Sequence, residues 1–260
     1  MPSTALFLSS STATSVSPTR DNFNVQLRPP LYFEKNSEPR IAVASASMWN
    51  SFPNISAAQG NNIIYYTDTL GTPQKYSITL TDGAYEVPDL NLAVSNGLVA
   101  NGHASTLISF TAIPSTGRVT ISLDRAGYQI NFPAGTPYYR LGITLNSSFP
   151  SGALSTGAVT YYGQSGANIS PLNSVYVSCS LASGQSIVSG ASGSVVAQII
   201  PNVGAGSLIA YQPSFPLYID CKRLENCSID NINLQLTSDS GGVVDTGGED
   251  WSITIIVETR

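Results

Sequence analysis

Apolar and polar residues alternate along much of this chain. Phe23, Val25 and Leu27 are separated by polar residues, and so are Tyr76, Ile78 and Leu80, then Val119, Ile121 and Leu123, then Tyr128, Ile130 and Phe132. The same spacing returns in Val175, Val177 and Cys179, in Ile232, Leu234 and Leu236, and in Trp251, Ile253, Ile255 and Val257. A period of two turns every second side chain to one side of the backbone, which predicts antiparallel strands with one face in a core. Turn signals lie between these runs: "TDG" at 81–83, "STG" at 115–117 and "DRAG" at 124–127. An all-β antiparallel sandwich or barrel is expected, as one domain over residues 1–260. One segment breaks the pattern. In "VPDLNLAVSNGLVANG" the apolar Leu90, Ala93, Val94 and Leu98 recur at steps of three and four, with Pro88 and Asp89 in the first turn, and a short helix is predicted there. Residues 146–171 and 182–194 are rich in Gly and Ser with weak periodicity, and are expected as long surface loops.

Composition narrows the function. Charged residues make up only 10% of the chain and the net charge is −5, so the basic footprint of a direct nucleic-acid binder is missing. With 42% hydrophobic residues the chain can fill a core, unlike a disordered segment. No apolar run approaches the length of a membrane span, and the start "MPSTALFLSSSTATS" lacks the basic region and apolar stretch of a signal peptide. Sequons at Asn54, Asn146, Asn168 and Asn226 are read as chance products of an Asn- and Ser-rich chain. Cys179, Cys221 and Cys227 form no CxxC pair and are read as reduced core residues.

Catalytic signatures are thin. "VVDTGG" around Asp245 resembles the Asp-Thr-Gly element of aspartic proteases, whose chemistry needs two carboxylates sharing a proton, and no second copy is present. A hairpin turn is the expectation for Asp245. Asp239, Asp245, Glu249 and Asp250 match no EF-hand spacing and read as a solvated acidic turn. His103, the single histidine, follows "NG" and is expected at the surface, with no serine in a nucleophile elbow to serve. "GAG" at 204–206 lacks the rest of a phosphate loop. No enzyme activity, cofactor or metal is expected.

A resemblance emerges from the order of these pieces. "FLSSSTATSVSPTRDNFNVQLRPPLYFEKNSEPRIAVASASMWNSFPNIS" is similar to the N-terminal region of the penton, or minor capsid, proteins of Polinton-like viruses, virophages and Maverick-type elements. The matching positions are Phe23, Val25, Leu27 and Pro30, then Glu34 and Lys35, then Ile41 to Trp49, then Asn54 and Ile55. Downstream, "YSITLTDGAYEVPDLNLAVSNGL" resembles a strand, a "DG-x-Y" turn and a short helix of that family. "GRVTISLDRAGYQINF" with "LGI" at 141–143, and "VYVSCSLA", resemble later core strands.

That resemblance implies a single jelly-roll antiparallel β-sandwich, a homopentamer at the fivefold vertices of an icosahedral virion assembled inside the host cell, and contact with the major capsid protein. Another minor capsid or spike-bearing protein is the alternative. A jelly-roll module binding a host glycan or receptor, through aromatics that include Tyr161 and Tyr162, is a further one. Residues 1–20 are expected as an extended N-terminal arm. A jelly roll would also make the strand near Asn22 and the last strand, Trp251 to Val257, antiparallel neighbours. Trp49, Asn54, Gly83, Tyr85 and Trp251 are the expected structural core positions: Trp49 closing the end of the core where its strand stops, Pro53 and Asn54 turning the chain away. No interface residues are assigned.

Overall fold

The computed structural model describes residues 3–68, 73–169, 172–182, 184, 186–188, 191–239 and 241–259. In chain order the first strands are β1 (Ser3–Ser9), β2 (Ser15–Val16), β3 (Asn22–Tyr32) and β4 (Arg40–Trp49). There follow β5 (Ile63–Asp68), β6 (Gln74–Thr79), helix α1 (Val87–Ala100), β7 (Ile108–Ile113), β8 (Arg118–Leu123), β9 (Tyr128–Phe132), β10 (Ser147–Phe149) and β11 (Val159–Tyr162). The last part holds β12 (Val175–Cys179), β13 (Ser186–Val188), β14 (Ala191–Gly193), β15 (Val195–Ile199), β16 (Leu208–Tyr211), β17 (Ile219–Asp220), β18 (Ser228–Ser238) and β19 (Ser252–Glu258). The fold is all-β and antiparallel, with α1 as the only α-helix among the described residues.

The chain divides into two compact units, Met1–Phe52 with Leu172–Arg260, and Pro53–Pro171. Alternation reports that a strand has a core face but not which core it faces, so the division leaves no trace in the pattern.

The first unit is a jelly-roll sandwich. One sheet has the order β1-β19-β4-β16, with β17 also on β4, and the other has the order β15-β12-β18-β3-β2. Ile41, Val43, Met48, Ile253, Ile255 and Val257 from one sheet share a buried core with Phe23, Val175, Val177, Ile232, Leu234 and Leu236 from the other. Each such side chain contributes about 1.5–3 kcal/mol by leaving water. Closure differs from the expectation. β3 lies in the second sheet against β18, while β19 pairs with β4 and with β1, from Ser3↔Glu258 to Ser9↔Ser252. The two chain ends do meet as antiparallel neighbours, but the partner is the segment expected as a free arm, where Leu6 and Leu8 turn to the core.

Trp49 also departs from expectation: it is 44% exposed. The register between β19 and β4 shifts at Thr254/Ile255, which pair with Ser45 and Val43 and leave Ala44 over. Such a bulge reverses which parity faces the core. Ile41 and Val43 point inward before it and Ala46 and Met48 after it, so Trp49 ends on the outer face. Trp251 fills the role instead: it is 2% exposed, its ring meets Phe23 edge-on at 4.7 Å, and its indole N–H donates to the carbonyl oxygen of Arg20 at 2.7 Å. Of the cysteines, Cys179 and Cys221 are buried, but Cys227 is only half-buried, at the start of β18 where the sheet meets solvent.

The second unit packs a sheet of order β10-β9-β5-β6 and a sheet of order β11-β8-β7 around their own core, with α1. Ile64, Ile78, Ile130, Ile121 and Phe110 meet Leu90, Val94 and Leu98 of the helix there. α1 starts where the periodicity changes. Asp89 accepts from the backbone N–H of Glu86 at 3.0 Å, and Pro88 occupies the first turn, where no backbone donor is needed. "STG" closes the β7–β8 hairpin with Gly117 at φ +65°, whereas "DRAG" carries the chain from one sheet to the other. Residues 146–169 are not merely loop: β10 and β11 each add an edge strand. They are too short, at three and four residues, to show a period. Within 182–194, β13 and β14 form a hairpin, while residues 183, 185, 189 and 190, like 170 and 171, lie outside the described residues.

Candidate functional site

Asn54 is buried and joins three segments of the second unit. Its amide Nδ2 donates to the carbonyl oxygens of Tyr85 (2.7 Å) and Ile169 (2.8 Å), and its Oδ1 accepts the backbone N–H of Tyr85 at 2.8 Å. Its own N–H donates to the carbonyl oxygen of Gly83, and Ile55 forms a bridge with Gly83. An amide nitrogen so engaged is no free glycan acceptor. Tyr85 is half-buried, its hydroxyl donating to the carbonyl oxygen of Thr81 at 2.9 Å. "LGI" has a comparable logic: Leu141 and Ile143 are buried, and Gly142 at φ +68° stands where a Cβ would lie 2.3 Å from the carbonyl oxygen of Ser165.

The acidic turn of the first unit is structural. Asp245 is exposed and its Oδ1 accepts the N–H of Gly247 at 2.9 Å, an Asx turn, while the buried Thr246 hydroxyl bonds the carbonyl oxygens of Thr19 and Glu249. Asp250 accepts from Ser10 at 2.6 Å and pairs with Arg20, and Asp239 accepts from Asn173 at 2.9 Å. Asp239, Asp245 and Asp250 thus serve separate partners. Among the described residues no three His, Cys, Asp or Glu side chains gather as a metal ion requires.

His103 is not the surface residue that its "NG" turn suggests. Its side chain is 11% exposed and its ring stands edge-on to Tyr66, Tyr76 and Tyr128. Asn101 Nδ2 donates to the Tyr66 hydroxyl at 3.1 Å, and that hydroxyl shares a hydrogen bond with His103 Nδ1 at 2.9 Å. His103 Nε2 stands 3.4 Å from Asp68 Oδ2. The order Tyr–His–Asp imitates a catalytic triad, but its nucleophile position is a phenol whose pKa burial pushes upward, the opposite of activation. The chain's chemistry is to fasten the end of α1 to β5 and β6, since Asn101 Nδ2 also bonds the carbonyl oxygen of Ser77 at 3.2 Å. Only spatial proximity assembles it, so no sequence motif announces it.

A cleft of about 610 Å³ lies on the sheet β10-β9-β5-β6, lined by Tyr65, Thr67, Lys75, Gln129, Asn131 and Ser148, among others. Alternation explains the lining: Ile64, Tyr66, Ile130 and Phe132 face the core, so their neighbours Tyr65, Thr67, Gln129 and Asn131 face out. Ser148 donates to Asn131 Oδ1 at 2.8 Å and Asn131 Nδ2 donates to Thr67 Oγ1 at 3.2 Å, a polar row across three strands. A second cleft of about 500 Å³ shares residues 146–148 with it and reaches Phe149, Tyr161 and Gln164. Tyr161, an aromatic singled out in the sequence, lies there; Tyr162 points away and is exposed.

These features define an antiparallel jelly-roll protein with a β-rich insert between β4 and β12. Over its full length this is the fold of a virophage penton: the mavirus penton protein matches with a TM-score of 0.51 and 9% identity, covering 100% of both chains. A chain in the structure of the Sputnik virophage is also similar, at 13% identity and a TM-score of 0.45 over 98% of this chain and 97% of that one. At such identities what is shared is the fold. No protein-family model matches the sequence, and no curated protein matches it.

Proposed function

We propose that this protein is a penton subunit: a structural capsid protein that forms a homopentamer at icosahedral fivefold vertices, meets the major capsid protein at its rim, and joins the virion inside the host cell. The observation that carries the reading is the full-length likeness of its fold to the mavirus penton protein. A cyclic ring requires two different complementary patches on each subunit. The first unit offers apolar surface for them. Phe7, Trp49 and Leu208 stand exposed on the outer face of the β1-β19-β4-β16 sheet, Leu208 directly opposite Trp49 in the ladder, and Phe215 and Leu217 project from the β16–β17 connection. Phe7 and Phe215 are 81% and 88% exposed, apolar area that packing against a neighbouring subunit would remove from water.

A reconstruction of the particle tests this. Density for the chain at the fivefold axes is the expected result. Density only between hexagonal capsomers would overturn the penton reading in favour of another minor or spike-bearing capsid protein, and absence from the particle would overturn both.

A further inference from the structure

We propose that the outer face of the β10-β9-β5-β6 sheet is an oligosaccharide-binding site, with the pyranose face of the sugar on Tyr65 and its hydroxyls met by Thr67, Gln129, Asn131 and Ser148. The inference does not rest on the capsid reading.

The argument starts from the lining. Sugar hydroxyls donate and accept at once, and the groups that answer both demands are carboxamides and hydroxyls. Gln129, Asn131, Asn146, Ser147, Ser148 and Thr67 supply that set around one cleft. A sugar also carries an apolar C–H face, which a tyrosine ring covers while its own hydroxyl stays available for hydrogen bonding. In the β-ladder Tyr65 stands opposite Asn131 on one side and Ser77 on the other, so an aromatic platform is flanked by polar groups on neighbouring strands.

The polar groups are also held in place before any ligand arrives. Asn131 is fixed by Ser148 on one side and Thr67 on the other, and Gln129 Nε2 donates to the carbonyl oxygen of Pro150 at 2.8 Å. This row leaves one N–H of Asn131, the Thr67 hydroxyl proton and a lone pair on Ser148 unused within it. Little side-chain freedom remains to be lost on binding, which is what a weakly binding neutral ligand needs. The size agrees: about 610 Å³, with a second cleft of about 500 Å³ beside Tyr161 and Gln164 that shares residues 146–148, has room for more than one sugar unit. Other occupants fit worse. Among the described residues Lys75 is the one cation lining the first cleft, too few for a nucleic-acid backbone.

The test is an array of defined oligosaccharides, neutral and acidic, probed with the full chain and followed by titration of each hit. Binding that falls about tenfold or more in both Tyr65→Ala and Asn131→Ala, and is unchanged in Tyr162→Ala, supports the site. If either variant proves unstable, hydrogen exchange on the unaltered protein decides: a hit should slow exchange in β5, β9 and β10 and leave the first unit unaffected. No binding by any oligosaccharide, or binding indifferent to both variants with no protection in these strands, overturns the proposal. Loss of binding in Lys75→Ala confined to acidic sugars identifies the acidic class as the ligand.

Discussion

The indole N–H of Trp251 reaches the carbonyl oxygen of Arg20 at 2.7 Å across the first unit, fixing the turn before β3 to the entrance of β19. The bond joins positions distant in sequence and satisfies a buried donor that a Phe would not carry. Trp251→Phe keeps most of the packing against Phe23 but leaves that carbonyl without its partner, and should cost about 1–3 kcal/mol. Trp49→Ser, on the exposed outer face, should change the stability of the isolated chain by about 0.5 kcal/mol or less. Urea unfolding of the two variants reads the difference directly. Iodide offers a second view: in Trp49→Phe the remaining fluorescence should resist quenching, and in Trp251→Phe it should not.

The contrast between these two tryptophans shows what the sequence can and cannot reveal. Trp251 heads an unbroken alternation, Trp251, Ile253, Ile255 and Val257, and all four are buried. Trp49 also belongs to a regular series counted from Ile41 and Val43, but one extra residue at Ala44 reverses the parity, and a single-residue bulge has no compositional mark. The helix was legible because Leu90, Val94 and Leu98 change the period and Pro88 and Asp89 mark the start. β1 was not, because "TALFLS" offers only a brief alternation and its partner, β19, lies at the other end of the chain. Asn54 was readable as a special position from its place after Trp49 and Pro53, but its three partners come from residues 85 and 169 and only the fold assembles them. The sheet cleft and the His103 cluster are of the same kind: every member is ordinary in sequence, and the chemistry arises from strand register.

Asn54→Ala should destabilise the second unit by about 2–4 kcal/mol, because it strands the N–H of Tyr85 and the carbonyls of Tyr85 and Ile169 in a buried setting. Asn54→Asp tests the geometry more sharply. It keeps the acceptor for Tyr85 but turns a carboxylate oxygen toward two carbonyl oxygens, so it should be no better than alanine at neutral pH. Hydrogen exchange or limited proteolysis of residues 53–171 would locate the loss, and an aspartate variant as stable as the parent would refute this account.

Gly97 lies where α1 crosses β6, and a Cβ built on it would stand 2.2 Å from Cγ2 and 3.1 Å from Cβ of Ile78. In an exposed helix Gly→Ala gains about 1 kcal/mol. Here the sign should reverse, with Gly97→Ala costing about 1–3 kcal/mol through overpacking against a buried β-branched side chain. Ile78→Val removes only Cδ1 and would leave the clash, whereas Ile78→Ala in the Gly97→Ala background should recover part of the loss. A double-mutant cycle with a coupling energy near zero would mean that the helix shifts to make room.

Burial pushes the Cys179 thiol up to about 12 and the Cys221 thiol up to about 11. Both folded values lie above the 9.0 of an ordinary thiol, so above that pH the unfolded chain releases protons that the native state keeps. Their contribution to stability is therefore complete below about pH 9 and is lost as the pH rises through 11 and 12, and Tyr66 and Tyr128, also raised chiefly by burial, act with the same sign at the alkaline end. Urea midpoints should fall between pH 8 and pH 11, and Cys179→Ala, though less stable at pH 8, should show a shallower fall. At pH 8 a thiol reagent should modify the half-buried Cys227 quickly and the other two only at the rate at which the first unit opens. Equal modification rates for all three, or an alkaline slope unchanged by Cys179→Ala, would remove the burial argument.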